Sequence, residues 1–491
     1  MSPFLGTRGA GSNRAFGYAG AAAPAQVTGL TATDFGTSRA YNNGRIDLSW
    51  TAPANNGATI TGYKIERSTD NSTYSTLVAN TGSATTTYSD TGLNSAQIYY
   101  YKVSAINAAG TGLASTAANA TATTVPQAPT IGTATAGVQS ATVAYTANAT
   151  GGKAVSTFTA TSSPSGLTGT GASPITVSGL TGGTSYTFTV TATNANGVSI
   201  ASGTSNSITA QVPFAISGGT EVTSGGFKYC KFTSNGNLTV QGSGTVESIV
   251  VAGGGGGGMG MGGGGGAGGF RYTSSSISAG TYAVVIGGGA GGGASQANPR
   301  GSNGNSSSFN SITSSGGGGG GGSTSTQYSQ NAGNSGGSGG GGGGSINAPS
   351  RDGGSGTGGQ GNNGGIGVYD INYAGGGGGG AGAVGNAGSA GNGFGFGGAG
   401  GSGTNAYSTW ATATSSGVSG FYAGGGGGHG ASGDPSGQGA GGAGGGGTSK
   451  YQSPTAATAN TGGGGGGQGR GTGSVAAGSG GSGIVIVRAA V

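Results

Sequence analysis

The sequence predicts an all-β chain whose C-terminal half is a lattice of packed glycine helices. Residues 24–212 alternate apolar and polar side chains, with turn residues at close intervals, which is typical of β-sandwiches. Most of the 128 glycines lie in residues 253–483, in runs such as 253–258 and 462–467. Strand-like segments stand on both sides of that region. These three observations favour sandwiches followed by a glycine-rich domain.

The glycine runs allow two interpretations. A flexible linker is the simpler one, because ordering each glycine costs roughly 1–2 kcal/mol of backbone entropy and no side chain is buried in return. The alternative is the polyproline-II conformation, a threefold helix without internal hydrogen bonds, which glycine adopts readily. Such helices pack closely without Cβ atoms and can satisfy one another's N–H and C=O groups, at about 0.5–1.5 kcal/mol per bond.

Packed helices need a template, and the sequence supplies one. The segments 246–251, 281–286 and 484–488 are rich in valine and isoleucine and flank the glycine region. Short apolar strands are not stable alone, so we expect them to pair and bring the two ends of the region together. This expectation favours the packed interpretation and predicts polyglycine-II helices on a small β base formed by residues 214–252, 270–286 and 484–488.

Composition argues against several classes of protein. Only 5% of residues are charged, and the net charge of +6 comes from scattered Lys and Arg, which gives nucleic-acid binding little support. Cys230 is the only cysteine, and we expect it to be a buried apolar residue in a strand. We find no apolar run typical of a signal peptide or a membrane span, so we expect synthesis in a cytoplasm.

Residues 1–23 are too short and open to fold alone. They form either a disordered tail or a peptide that orders on a partner by burying its aromatic and arginine side chains. The candidates for such docking are Phe4, Arg8, Arg14, Phe16 and Tyr18.

Residues 24–124 contain the motif LNSAQIYYYKVSAINAAG, in which Leu93 precedes Tyr99 by six residues and alternating core positions follow. This motif, together with Trp50 in LSW, resembles the fibronectin type III family. The resemblance implies a β-sandwich with Trp50 in its core and Tyr99 as the corner tyrosine.

Residues 125–212 repeat the motif as LTGGTSYTFTVTATNANG, with Leu180 and Tyr186 at the same spacing. This second module resembles the same family, but it lacks the core tryptophan, and we expect Tyr145 to replace it. Two such modules in tandem favour a spacer.

Residues 213–491 form the predicted glycine-rich domain. The segments GGFKYCKF, SAGTYAVVIGGGAGG and SGIVIVR occur in order around the glycine runs and resemble a glycine-rich domain of bacteriophage tail-fibre and receptor-binding proteins. The resemblance implies an adhesin in which polyglycine helices display loops to a host surface.

If each glycine run crosses the domain once, the inserts between runs alternate between its two ends. Aromatic side chains then collect in one set of inserts, namely 323–335, 366–374, 404–423 and 448–461, whereas the other set has only Phe309. Aromatic rings are favoured at recognition surfaces. We therefore predict that this set forms a distal tip, unless its rings merely pack together to close the loops. The receptor-binding candidates are Tyr328, Tyr369, Tyr373, Tyr407, Trp410, Phe421, Tyr422 and Tyr451.

The sequence offers little catalytic chemistry. His429 is the only histidine, and we expect a loop or packing role for it. The ten acidic residues are dispersed, and the many GxGxxG matches follow from composition alone. We expect no enzyme activity, no cofactor and no metal.

The resulting hypothesis is a phage tail virion protein that binds the bacterial surface. Its expected partners are other tail proteins and a host receptor, either an outer-membrane protein or a polysaccharide, without nucleic acid; a homo-oligomer is compatible with this role. The alternative is a structural spacer or fibre component, or a bacterial surface or matrix protein, without receptor binding.

Overall fold

The computed structural model describes residues 20–323, 330–345, 351–369, 372–391, 393–431, 437–469 and 475–491. The chain divides into two compact units, Met1–Val212 and Pro213–Val491. The described elements are 28 β-strands and one short α-helix, which agrees with the predicted all-β class. No helix in the described part of the chain has the length and hydrophobicity needed to cross a membrane.

The first module of unit 1 is a sandwich of two antiparallel sheets, with strand orders β1-β2-β5 and β4-β3-β6-β7, and β8 pairs with β6. Trp50 and Tyr63 meet edge to face in its core, with ring centroids 5.0 Å apart. The hydroxyl oxygen of Tyr99 accepts the backbone N–H of Asn94 at 3.1 Å, which confirms the corner tyrosine. The strands are β1 Thr28–Asp34, β2 Gly44–Thr51, β3 Gly62–Ser68, β4 Ser75–Val78, β5 Thr87–Leu93, β6 Ile98–Asn107, β7 Gly110–Thr111 and β8 Ala118–Thr121.

The second module repeats this topology, with orders β13-β10-β9 and β12-β11-β14-β15, and β16 pairs with β14. The Tyr186 hydroxyl accepts the N–H of Thr181 at 3.0 Å, as a second corner tyrosine. Tyr145 is half-buried, and its ring centroid lies 4.6 Å from that of Phe158. The two residues lie on β10 and β11, the strands that correspond to those of Trp50 and Tyr63 in the first module. The strands are β9 Thr130–Gly137, β10 Ser140–Thr146, β11 Val155–Ser163, β12 Thr168–Thr170, β13 Ile175–Ser178, β14 Ser185–Asn194, β15 Gly197–Val198 and β16 Ile208–Thr209.

Buried polar groups join the two modules inside unit 1. The side-chain amide of Asn194 donates to the carbonyl of Thr124 at 2.9 Å, and that of Asn196 donates to the hydroxyl of Thr123 at 2.8 Å. A Cβ on Gly36 would stand 2.3 Å from the Thr123 hydroxyl oxygen, so only glycine fits there. The connecting residues are therefore fixed on both sides, and the two modules form a stiff pair.

Unit 2 begins with a β base made of two five-stranded sheets, of orders β17-β20-β23-β24-β25 and β18-β19-β28-β21-β22. Residues Cys230, Val250 and Val485 belong to the core between them, and burial raises the pKa of the Cys230 thiol to about 12. The strands are β17 Ala215–Ser217, β18 Thr220–Ser224, β19 Phe227–Phe232, β20 Gly236–Gln241, β21 Gly244–Val251, β22 Phe270–Ile277, β23 Gly280–Val285, β24 Ser307–Phe309, β25 Ile312–Ser314 and β28 Ile484–Ala490.

Strands β21 and β28 pair antiparallel, with Val250 opposite Val485. The predicted return of the chain end to the start of the glycine region is thus confirmed. An ion pair between Arg488 and Glu247, 2.6 Å apart, joins the same two strands. The chain enters the glycine lattice from β21 and leaves it into β28, so the strand register fixes where the first and last glycine helices begin and end.

The glycine helix at 253–258 shows how the lattice is held together. The N–H groups of Gly253 and Gly256 donate to the carbonyls of Asn305 and Ser302, each at 3.0 Å. Of the other four N–H groups in this helix, two donate to the segment 478–481 and two donate to the segment 263–266. The carbonyls accept from three more segments, at 317–320, 290–293 and 465–468. Residues three positions apart therefore form hydrogen bonds to the same neighbouring segment, as the threefold symmetry of polyglycine II requires.

Three further glycine helices, at 263–268, 375–380 and 424–429, likewise bond to neighbours on all sides. Helix 263–268, for example, donates to segments 318–321, 376–379 and 462–465 and accepts from segments 255–258 and 338–341 and from Gly426. At each glycine of these central helices a Cβ would overlap a neighbouring carbonyl or backbone atom, as at Gly264, where it would stand 2.0 Å from the oxygen of Gly426. The packed interpretation is therefore confirmed, and glycine is required by close approach.

We predict that Gly264→Ala destabilises unit 2 by at least about 3 kcal/mol, because its methyl group must displace a carbonyl that is bonded inside the lattice. The matched control is Gly291→Ala on a peripheral helix, where a Cβ meets nothing within 4 Å. We expect that control to change the free energy of unfolding by less than about 1 kcal/mol. Urea unfolding followed by Trp410 fluorescence, in a Trp50→Phe background, measures both. Equal losses in the two variants would contradict a close-packed interior.

Candidate functional site

The glycine lattice of unit 2 has a base end, which continues into the β sheets, and a distal end. The turn Met259–Gly260–Met261 marks the distal end, since it joins the antiparallel helices 253–258 and 263–268. Both methionines are buried there. Other connections meet this turn: Ser323 donates its N–H to the carbonyl of Met259, and Gly344 to that of Met261, both at 3.0 Å.

Three of the predicted receptor-binding residues lie in distal connections. Tyr369 is 59% exposed, and the guanidinium carbon of Arg351 lies 4.6 Å from its ring centroid. Tyr373 and Tyr451 are half-buried in neighbouring connections. Tyr328 lies outside the described residues, as do the docking candidates Phe4, Arg8, Arg14, Phe16 and Tyr18.

The prediction of a single aromatic tip is wrong for the insert 404–423, which lies at the base end. Trp410 is 2% exposed and Tyr422 is fully buried, both in a cluster with Ile249 and Ile486 of the β base. Tyr407 and Phe421 are half-buried in the same insert. Four of the eight candidates, Tyr407, Trp410, Phe421 and Tyr422, are therefore remote from the distal end.

Helix α1, Ser408–Thr414, explains why this insert belongs at the base. It covers the second face of the sheet that contains β21 and β28, and the Lys231 ammonium closes its C-terminal end by donating to the Thr414 carbonyl at 2.6 Å. The ring centroid of Trp410 lies 4.5 Å from the Arg488 guanidinium carbon, and the ring packs edge to face with that of Tyr229. The uninterrupted apolar runs of β21 and β28 were the available signal, because such runs indicate strands that are buried on both faces.

The alternation of inserts failed because glycine runs undercount the crossings. The segment 294–315, which contains Phe309 and belongs to the other set of inserts, includes a crossing of its own, in which Gly301 and Gly304 donate to the carbonyls of Gly320 and Gly317 at 2.9 Å. Its last part is the hairpin of β24 and β25 at the base. Peripheral segments need glycine only where they face a neighbour, so they cross the domain without a glycine run.

Sequence reasoning missed a set of exposed apolar side chains at the distal end. A hairpin of β26, Ser389–Gly391, and β27, Phe394–Phe396, presents Phe394 and Phe396 at 49% and 36% exposure. It follows Gly388, whose N–H donates to the carbonyl of Ile366 at 3.0 Å, and Ile366 is itself exposed. The alternation of phenylalanine and glycine in 394–396 was the available signal for this hairpin.

We call these side chains, with the ring of Tyr369, the distal apolar patch; its members are Ile366, Tyr369, Phe394 and Phe396. Two chain segments contribute to it, 366–369 and the hairpin, and the hairpin lies close to residues 372–373, since a Cβ on Gly395 would stand 2.5 Å from the Tyr373 carbonyl oxygen. Exposed apolar side chains at one end of a domain are candidates for a binding surface.

His429 lies inside the lattice near the distal turn. Its backbone N–H donates to the carbonyl of Gly262 at 3.0 Å, and its ring is fully buried, 6.4 Å from that of Tyr451. Its Nδ1 contacts the carbonyl of Gly430, whereas Nε2 has no hydrogen-bond partner among the described residues. Burial lowers the pKa of the imidazole, although the Gly430 carbonyl opposes this shift. The expected packing role agrees with this placement.

We predict that the stability of unit 2 falls as pH drops below about 6.5. The unfolded chain binds a proton there, whereas the folded imidazole stays neutral until its lower pKa is reached. The slope approaches about 1.4 kcal/mol per pH unit within that window. Because His429 is the only histidine, His429→Asn should flatten the profile between pH 7 and 5 in urea unfolding followed by Trp410 fluorescence. An equal slope in the variant would contradict this account.

No group of three or more His, Cys, Asp or Glu side chains that could hold a metal ion occurs in the described ranges.

Comparison with known proteins identifies two domains. The family model of the glycine-rich domain matches residues 232–490, and that of the fibronectin type III domain matches residues 31–121. Among solved structures, the FN1–FN3 domains of chicken CNTN1 share 13% identity, over 54% of this chain and 92% of that chain, with a TM-score of 0.23. A Fn3-like protein from Clostridium thermocellum shares 32% identity, over 20% of this chain and 92% of that chain, with a TM-score of 0.17. None of the curated proteins matches the chain.

Proposed function

The chain belongs to the glycine-rich domain family and carries a fibronectin type III domain, and from this pairing and the distal geometry we propose that it is a bacteriophage tail protein that binds the host surface. The observation that carries the proposal is the distal apolar patch, which stands on a hydrogen-bonded lattice. In this role the chain has no enzymatic activity, resides in the virion tail and attaches there through its first 23 residues.

The lattice suits such a role because it holds loops rigidly without depending on their sequences. Backbone hydrogen bonds fix each central helix, so the exposed residues of the distal connections can vary without loss of the lattice. A recognition surface on a rigid support loses little conformational entropy when it binds. Several copies on one tail would turn weak individual contacts into firm attachment.

Within the patch, Tyr369 is the best-defined candidate for a receptor contact, because an arginine stacks on its ring. Tyr369 is held under Arg351, so its ring is oriented while more than half of its surface stays exposed. Tyrosine and arginine are common among the residues that dominate binding energy, because they bury large area at little entropic cost. The receptor contact is therefore assigned to Tyr369 with Ile366, Phe394 and Phe396, and no longer to Trp410.

The alternative role is that of a spacer without receptor binding. The stiff junction of the two modules in unit 1 favours a spacing role for that unit, since Thr123, Asn194 and Asn196 lock it. The two roles are compatible in one chain. They differ in whether the distal patch contacts the cell.

We predict that Tyr369→Ser lowers binding of the fluorescently labelled full chain to its bacterial host about tenfold, the loss expected for an interface aromatic. Flow cytometry on a panel of bacterial strains identifies the host and measures the effect. The control is Phe35→Ser in unit 1, because Phe35 is 49% exposed and also has an arginine over its ring, with the Arg45 guanidinium carbon 4.7 Å from the centroid.

We expect the Phe35 control to bind as the wild type does. Equal binding by both variants would remove the patch from the recognition surface. Absence of binding to any strain, together with recovery of the chain in purified tail particles by mass spectrometry, would leave the spacer role.

A further inference from the structure

A cleft lies at the base end of unit 2, at the opposite end of the glycine helices from the distal apolar patch. It has a volume of about 320 Å³, and it opens where β22 meets the turn at 357–361 and the start of the insert 404–423. Its walls include Phe270, Gln360, Asn362 and Thr404, and none of its lining residues carries a charge. Its size is at the lower end of the range for small-molecule sites.

Gln360 is the best-defined group in this cleft. Its side chain is 94% buried, and its Oε1 accepts the N–H of Ser315 at 2.7 Å, which fixes which side-chain atom is oxygen and which is nitrogen. Gly269 packs so close to this oxygen that a Cβ there would stand 2.4 Å away. No described group accepts a hydrogen bond from the Nε2 amide, which lines the cleft. Because Nε2 is not among the enclosed unpartnered atoms, its two N–H donors are open to water or to a ligand in the cleft.

Two other side chains complete the polar wall. Asn362 uses its amide hydrogens on the carbonyls of Gly380 and Ala381, at 2.9 and 3.1 Å, so its carbonyl oxygen remains as an acceptor. The Thr404 oxygen accepts only a long bond of 3.4 Å from Ala406, so its hydroxyl proton is available to donate. The cleft thus offers donors and an acceptor side by side, without charge.

The one aromatic residue of the lining, Phe270, is held in place by neighbouring rings. The Phe270 ring stacks on that of Tyr407 with centroids 5.4 Å apart, and Tyr407 stacks on Tyr272 at 4.9 Å. This ladder holds the Phe270 ring in place beside the polar groups. A ligand that fits must therefore be uncharged, must both donate and accept hydrogen bonds, and must have an apolar face to lie against a ring.

We propose that this base cleft is a binding site for one pyranose unit of a neutral saccharide. A sugar ring meets each requirement, since its hydroxyl groups both donate and accept and its axial C–H groups form an apolar face. Gln360 and Thr404 donate to sugar oxygens, Asn362 accepts from a hydroxyl, and Phe270 contacts the C–H face. The site is separate from the distal patch, so it adds a second, saccharide-directed contact to the molecule.

The test is saturation-transfer NMR on the full chain with glucose, galactose, mannose and N-acetylglucosamine, each up to about 20 mM, since a single unit should bind with a millimolar Kd. Gln360→Glu keeps the acceptor for Ser315 but removes the donors, and we expect about tenfold weaker binding. Thr404→Val removes one hydroxyl at constant shape, and we expect about fivefold weaker binding.

The matched control is Gln241→Glu, the same chemical change at an exposed amide in the β base, which should bind as the wild type does. Urea unfolding followed by Trp410 fluorescence shows whether each variant is folded. No saturation transfer with any of the four sugars, or equal binding by Gln360→Glu and Gln241→Glu, would overturn the proposal. Tyr369→Ser should leave sugar binding unchanged, so this test can fail or succeed independently of cell attachment.

Discussion

Unit 2 depends on one constraint, the pairing of backbone N–H and C=O groups between polyglycine helices in a threefold register. A helix such as 253–258 has no internal hydrogen bonds, so each peptide group must find a partner on a neighbour or remain unpaired in a dry interior. Neighbours can approach closely enough only when Cβ is absent, as the 2.0 Å overlap at Gly264 shows. The sequence bias towards glycine is therefore a packing requirement that is strictest at the centre of the lattice.

The β base makes this lattice possible by fixing its ends. Pairing of β21 with β28 places Val251 beside Ile484, so the first glycine helix begins beside the point where the last one ends. Both faces of this sheet are covered, one by the second sheet and the other by helix α1 with Trp410. The aromatic side chains of insert 404–423 thus stabilise the support, whereas exposed rings lie in the distal connections. The cleft proposed to bind a saccharide lies where the β base adjoins the lattice, between β22 and the peripheral helices.

Local structural features could be predicted from the sequence, whereas the path of the chain through the glycine lattice could not. The tyrosine corners at Tyr99 and Tyr186 were implied by the resemblance to the fibronectin type III family, and the return of β28 follows from the need of apolar strands for a partner. The ends at which inserts emerge depend on the number of crossings, and peripheral crossings such as 301–305 lack the glycine run that would reveal them. Trp410 was misplaced for a related reason, since exposure could not be judged before the second apolar face of the sheet was known.

Residue-resolved hydrogen exchange of the full chain tests the lattice most directly. On the peripheral helix 287–293, Ala290 and Gly293 donate to the carbonyls of Gly254 and Gly257, whereas no described group accepts from Gly288, Gly289, Gly291 or Gly292. The account therefore expects slow exchange at every third residue of this helix, and slow exchange throughout the central helix 263–268. Fast exchange along both segments would mean that the glycine region is an unpaired chain, and the support for the distal surface would be lost.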